Sequence, residues 1–163
     1  MSYSFGKVSM KQYETLHNDL QLILDHSILE CAVDFSLIKG HRPPEKQFEY
    51  FRRGRVQQAD GSWVVVRPQS VITNVDGYRV KGTHNYNPSL AIDIAAYVTG
   101  KRELAYDLAH LAYIAGCIMT IANRLFKEGK VKHKLRWGGN WDGDGDLADN
   151  ILFDAPHFEL FKP

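Results

Sequence analysis

The chain is poor in the residues that would announce a specialised class. Two cysteines, three methionines and six prolines in 163 residues exclude a disulfide-stapled scaffold and a proline-rich linker. Cys31 and Cys117 lie too far apart for a C-x-x-C motif, so two small buried thiols in a reducing compartment are expected. An excess of one charge is also missing: 20 Lys and Arg face 19 Asp and Glu, a net charge of +1. Phosphate binding shows as a clustered basic excess, so no nucleic-acid partner is expected. The longest mostly apolar stretch, Leu111 to Ala122, is interrupted by Gly116 and Thr120. It runs about 12 residues where a bilayer span needs about 20, so no membrane partner is expected either. The N-terminal Met-Ser-Tyr-Ser-Phe-Gly-Lys has no hydrophobic signal region, which points to synthesis and residence in a cytoplasm. There is no internal repeat and no linker. A hydrophobic share of 44% over this length supports one domain, residues 1–163, with its own core.

What is present reads as alternating helices and strands. Ser9 with Gln12 has the form of a capping box, and Tyr13, Leu16, Leu20, Ile23 and Leu24 recur at helical spacing, predicting a helix over about 10–28. Phe35 to Gly40 alternates as a strand, and Pro43-Pro44 opens a helix that Gly54 ends. Asp60-Gly61 and Asp76-Gly77 are turn signals between the β-rich runs Trp63 to Val66 and Val71 to Thr73, with Tyr78 to Val80 after the second, so Arg55 to Gly82 is expected to be hairpin or loop. Ser89 to Ala95 reads as a buried strand, and Leu104 to Leu125 carries a long helical stripe that Gly129 ends. Strands return at Lys134 to Trp137 and His157 to Phe161.

Two of these strands carry chemistry. In the last, His157, Glu159 and Phe161 share one face and Phe158 and Leu160 the other, which suits a polar working face over an apolar packed one. Asp154 precedes His157 by three residues, across Ala155-Pro156, where proline makes a bend plausible that brings both into one cleft. In the middle strand, Asp93 is flanked on its own face by the small Ala91 and Ala95, which leaves room for a metal above the carboxylate. His84 lies nine residues upstream. Two histidines and one carboxylate with an open fourth position form a catalytic zinc set, and a further carboxylate can serve as base; by spacing alone the pattern is weak.

The order of these motifs is more specific. Gly40-His41-Arg42 with Gln47 and Gly54, Thr83-x-His84 leading to Ala91-x-Asp93, Trp137-Gly-Gly-Asn-Trp141 and Asp154-x-x-His157 together resemble the D-alanyl-D-alanine carboxypeptidase-like zinc peptidases. Within that group the sequence looks most like the phage-type L-alanyl-D-glutamate endopeptidases, endolysins that cut the peptidoglycan stem. Thr83 replaces the family's serine and Ser89 its glycine, and the stretch from His84 to Asp93 is two residues longer than usual.

The resemblance implies an α+β fold of the hedgehog and DD-peptidase type, a small, mainly antiparallel sheet packed against helices. It makes His84, Asp93 and His157 the Zn2+ ligands, Asp154 the catalytic base and Arg42 a substrate or oxyanion contact. The implied substrate is the L-Ala-D-Glu bond of the stem peptide. The protein is expected to be a monomer, made in the host bacterial cytoplasm and reaching the wall after membrane permeabilisation. The fold also admits a D-Ala-D-Ala carboxypeptidase or a metal-stabilised binding module without catalysis. A second, weaker pattern is Asn140, Asp142, Asp144, Gly145 and Asp146 with Asp149 beyond, like the first half of an EF-hand loop but with Ile151 in place of the closing glutamate. It is a candidate Ca2+ loop. The other histidines, His17, His26, His41, His110 and His133, are expected to be structural or exposed.

Overall fold

The computed structural model describes residues 2–148 and 153–163. Its frame is a four-stranded antiparallel sheet built from β1 (Phe35–Lys39), β4 (Ala91–Ala96), β5 (Lys134–Trp137) and β6 (His157–Phe161), in the order β1-β4-β6-β5. Between β1 and β4 come α3 (Pro44–Phe51) and a separate hairpin, β2 (Arg55–Gln57) with β3 (Trp63–Val65). One face of the sheet is core: Leu37, Ile92, Ile94, Phe158 and Leu160 are almost wholly buried. They meet α2 (Asn18–Glu30) and α4 (Leu108–Lys127), whose Leu20, Ile23, Leu24, Leu111, Ile114 and Ile118 are equally buried. This is the α+β layering expected. Burying one apolar stripe per helix against one sheet face leaves the other face free for polar work.

The helix α4 is 20 residues long with a mean hydropathy of 1.3, enough by length and composition to cross a bilayer. The helical stripe expected over Leu104 to Leu125 thus exceeds the 12-residue apolar run Leu111 to Ala122; the helix starts at Leu108 because Asp107 caps it by accepting from His110 N at 3.1 Å, and Arg124 and Lys127 lie in its last turn. Its apolar stripe is spent inside this protein's own core.

The N-terminal helix also differs from expectation. It is two helices, α1 (Lys7–Tyr13) and α2, because Thr15 to His17 leave the helix to bond Ser89: Ser89 N donates to Thr15 O at 2.8 Å and His17 N to Ser89 O at 2.9 Å. Ser9 and Gln12 form no capping box. Their side chains accept from Leu37 N and Gly40 N at 3.1 and 3.0 Å, and so tie α1 to the end of β1. Val71 to Thr73 and Tyr78 to Val80 form no strand. Cys31 and Cys117 come together between α2 and α4, where burial, helped by the neighbouring Cys31 thiol, pushes the Cys117 thiol up to about 12.

Candidate metal centre

The register of β4 against β6 sets Asp93 directly opposite His157. His84 arrives from a short 3-10 turn, Thr83–Asn85, held by Arg42 N donating to His84 O at 2.8 Å. Three atoms then converge: His84 Nε2 and Asp93 Oδ1 are 3.2 Å apart, His157 Nδ1 and Asp93 Oδ1 3.0 Å, and the two ring nitrogens 3.2 Å. Both histidines are buried.

The outer hydrogen bonds decide what those atoms are. His84 Nδ1 lies 2.7 Å from Gly40 O, which can only accept, so Nδ1 carries the proton and Nε2 presents a lone pair. Gly40 is required here, since a Cβ would collide with Thr15 Oγ1. His157 Nε2 lies 3.1 Å from Glu159 Oε2. Glu159 is ionised: burial alone would raise its carboxyl, but His157, Thr83 and Arg136 hold it down to about 2. It therefore accepts from His157 Nε2, and His157 Nδ1 presents its lone pair to the cluster.

Two neutral imidazole nitrogens and a carboxylate oxygen would thus face one another with nothing but acceptors, an arrangement that calls for a cation. Without one, a proton takes its place. Burial lowers the His157 imidazole, yet the hydrogen bonds it donates to Asp93 and Glu159 overcome this and push it up to about 9. The same histidines outweigh burial at Asp93 and hold its carboxyl well below the usual range. The spacing fits a metal as well: ligands at 2.0–2.1 Å on a tetrahedron lie about 3.3 Å from one another. Two imidazoles, one carboxylate and an open side form a donor set suited to catalytic zinc.

The other sequence-predicted residues gather around this trio. Asp154 lies outside it, at the start of a turn in which His157 N donates to Asp154 O at 3.0 Å, the bend expected at Pro156. Although the residue is open to solvent, its carboxyl is raised from the ordinary value, first by desolvation and then by the nearby Asp93, against the pull of His157, His84 and Arg42. The Trp137 to Trp141 motif builds its wall. Trp137 Nε1 donates to Ala155 O at 2.7 Å, and Asp154 N to Gly138 O at 2.8 Å. A side chain on Gly138 would strike Asp154, and Trp141 covers the His157 ring with 5.5 Å between centroids. Arg42 reaches within 3.9 Å of Asp93 Oδ2, steered by Gln47 Oε1 at 2.8 Å and lying over the Tyr50 ring at 5.0 Å.

Sequence reasoning left two helpers without a role. Glu159 joins Thr83 Oγ1 at 2.7 Å and Arg136 Nε at 2.9 Å while it orients His157; the signal was its place on the His157 face. Gln47, buried, donates to Thr73 Oγ1 and Val75 O and thereby aims Arg42. The acidic loop behaves otherwise. Asn140, Asp142, Asp144 and Asp146 each accept from a backbone N–H two or three residues on, and among the described residues no three of its carboxylates come within coordinating reach. The positions Asp149 and Ile151 lie outside the described residues.

A family profile described as phage L-alanyl-D-glutamate peptidase matches residues 1–161. The L-alanyl-D-glutamate peptidase of Escherichia phage T5 is 27% identical over 98% of this chain and 99% of its own length. The crystal structure of the Serratia marcescens L-Ala D-Glu endopeptidase ChiX superposes with a TM-score of 0.57, covering 97% of this chain and 90% of that one, at 21% identity, a likeness of fold. With the profile spanning nearly every residue, the chain belongs to the phage L-alanyl-D-glutamate peptidase family.

Proposed function

We propose that this chain is a peptidoglycan hydrolase that cleaves the L-Ala-D-Glu bond of the stem peptide, at a zinc centre held by His84, Asp93 and His157. The observation that carries the centre is the convergence of three acceptor atoms whose outer hydrogen bonds leave only lone pairs facing inward. Family membership carries the bond.

Zinc supplies Lewis acidity and makes water a nucleophile at neutral pH. The protein does the rest. Asp154, with its carboxyl raised toward the working range of a base, takes the proton from the attacking water and passes it to the leaving amine. In the stem, D-Glu is linked onward through its side chain, so its α-carboxylate is free beside the scissile bond. The forked guanidinium of Arg42, aimed by Gln47, matches that carboxylate in two parallel bonds. The protein works as a monomer on the wall, from the host cytoplasm once the membrane is permeabilised.

Mass spectrometry of digested peptidoglycan tests the reaction: new L-Ala C-termini and D-Glu N-termini are expected, and release of terminal D-Ala alone would replace it with a carboxypeptidase. Calcium on Asn140, Asp142, Asp144 and Asp146 requires those side chains to swing off the backbone groups they now hold. A calcium-dependent rise in melting temperature, absent from the Asp142→Ala, Asp144→Ala variant, decides that point.

A further inference from the structure

Beside the metal centre lies a concentration of positive charge that the reaction as described does not use. The Tyr50 ring on α3 is surrounded by four cations: Arg53 at 4.9 Å, Arg42 at 5.0 Å, Lys39 at 5.1 Å and Lys46 at 5.5 Å from its centroid. Lys46 comes from α3 itself, Arg53 from the turn just after it, and Lys39 and Arg42 from the end of β1 and the turn that follows. Lys46 is neutralised by Glu49, and Arg42 turns toward Asp93. Lys39 and Arg53 are exposed and have no carboxylate within ion-pair distance among the described residues; Lys39 Nζ rests 3.4 Å from the Tyr50 hydroxyl. That field is felt locally: burial would raise the Tyr50 phenol, but Lys39, Arg42 and Lys46 hold it below its ordinary value.

Packing like charges around one ring is unfavourable; Glu49, which feels Arg53 as well as Lys46, offsets part of that cost, and a further anion would offset the rest. The location says which anion. Lys39 stands in register with the metal ligand Asp93 across β1 and β4, and both free cations lie about 5 Å from the ring that Arg42 also touches, so neither is more than about 10 Å from Arg42. We propose that Lys39 and Arg53 form a second carboxylate subsite, which selects stems whose third residue is a diamino acid bearing an extra carboxylate, diaminopimelate, over stems carrying lysine. This inference rests on the L-Ala-D-Glu reading above. From D-Glu Cα to the far carboxylate of a side-chain-linked diaminopimelate is about ten bonds, a reach on the order of 12 Å when extended, which spans the gap from Arg42. Both side chains end in an ammonium, but only diaminopimelate adds a carboxylate on the same carbon, so its far end is a zwitterion that can turn its anion to the pair while lysine offers the pair a bare cation. The Tyr50 ring fixes both cations in place and lowers the conformational cost of binding.

The test uses the full chain and two synthetic stem peptides that differ only in that third residue. Wild type should cleave the diaminopimelate peptide with a kcat/KM about 10-fold higher, mostly through KM. Lys39→Gln and Arg53→Gln, both changes at exposed side chains, should each narrow the ratio by about 3-fold, within the scale for exposed ion pairs, and added salt should narrow it as well. Equal kcat/KM for the two peptides in wild type, or an unchanged ratio in the double variant, overturns the subsite. Calorimetric binding to the Asp154→Asn variant separates the two readings. If wild type cuts neither peptide but the variant binds the diaminopimelate peptide more tightly, the subsite stands and the L-Ala-D-Glu assignment falls; if the variant binds the two equally, the subsite falls whatever wild type cuts.

Discussion

Among the described residues two clusters share one composition, His84 with Asp93 and His157, and His17 with Asp19 and His133. Only the first is arranged for a metal. In the second, Asp19 Oδ2 accepts from Lys132 N, His133 N and His133 Nδ1 at 2.9, 3.0 and 2.8 Å. His17 Nδ1 accepts from Asp19 N at 3.1 Å and so caps α2. Asp19 Oδ2 and His17 Nδ1 thus already face N–H groups. In the first cluster the N–H groups point outward, to Gly40 O and Glu159, and the lone pairs point inward. Residue identity is shared; hydrogen-bond polarity is not, and polarity decides which trio is short of a positive charge.

The sharpest way to break this contrast is to remove one histidine from each cluster. His84→Ala and His157→Ala should each lose the bound metal and with it activity, whereas His17→Ala and His133→Ala should keep one equivalent. Metal analysis of the purified variants reads this directly, and full retention in the first pair would sink the proposed centre. Next in size is Asp154→Asn, which should keep the metal and the fold but slow turnover by about 10²-fold or more, the scale of a lost general base. Wild-type lysis by that variant would make Asp154 a structural turn residue.

Much of the first cluster was visible in the sequence because its residues announce themselves locally. Asp93 between Ala91 and Ala95, and His157 alternating with Phe158 and Leu160, are patterns of period two that survive folding unchanged. The bend at Pro156 is local as well. What stayed hidden depends on distant partners. Glu159 gains its role from Thr83 across 76 positions, and His133 meets Asp19 across 114. The long N-terminal helix was expected because nothing between Thr15 and His17 breaks helical periodicity; the break comes from Ser89, which no local pattern contains. Val71 to Thr73 has strand composition, but Thr73 bonds to Gln47 and Arg55 instead of a neighbouring strand.

Glu159 and pH sharpen the contrast further. Glu159→Gln removes the charge that fixes the His157 tautomer and should weaken metal binding by about 10- to 100-fold in a chelator competition; unchanged affinity would mean that Thr83 and Arg136, not His157, are what Glu159 serves. In the metal-free protein the His157 imidazole is pushed up to about 9, above its unfolded value near 6.5. A raised histidine stabilises the fold fully below that unfolded value and loses the contribution as pH rises through about 9. Melting temperature after chelation should therefore fall over that alkaline window, and reloading with zinc, which requires the neutral ring, should flatten the curve. The Asp19 cluster has the opposite sign. Burial raises the Asp19 carboxyl, but its His133 and backbone donors lower it more, so its contribution is present above the ordinary aspartate value and lost only as pH falls below it. A flat alkaline limb in the chelated protein would show that no proton replaces the metal.

The smallest effect expected is also the one that isolates the second cluster. His133→Ala removes one of three donors to a half-buried carboxylate and His17→Ala removes the cap of α2; each should cost about 1 kcal/mol, a fall of roughly 2–4 °C in melting temperature for a chain of this size. His17→Asn should recover most of its share, because asparagine caps a helix through the same backbone N–H, whereas no residue short of another donor at 133 replaces the bond to Asp19. Metal content and turnover should stay at wild-type values in all three. If wild type instead holds two equivalents of zinc, and His17→Ala or His133→Ala drops it to one, then the Asp19 donors give way to a cation, and hydrogen-bond polarity in the metal-free fold is not what separates the two clusters.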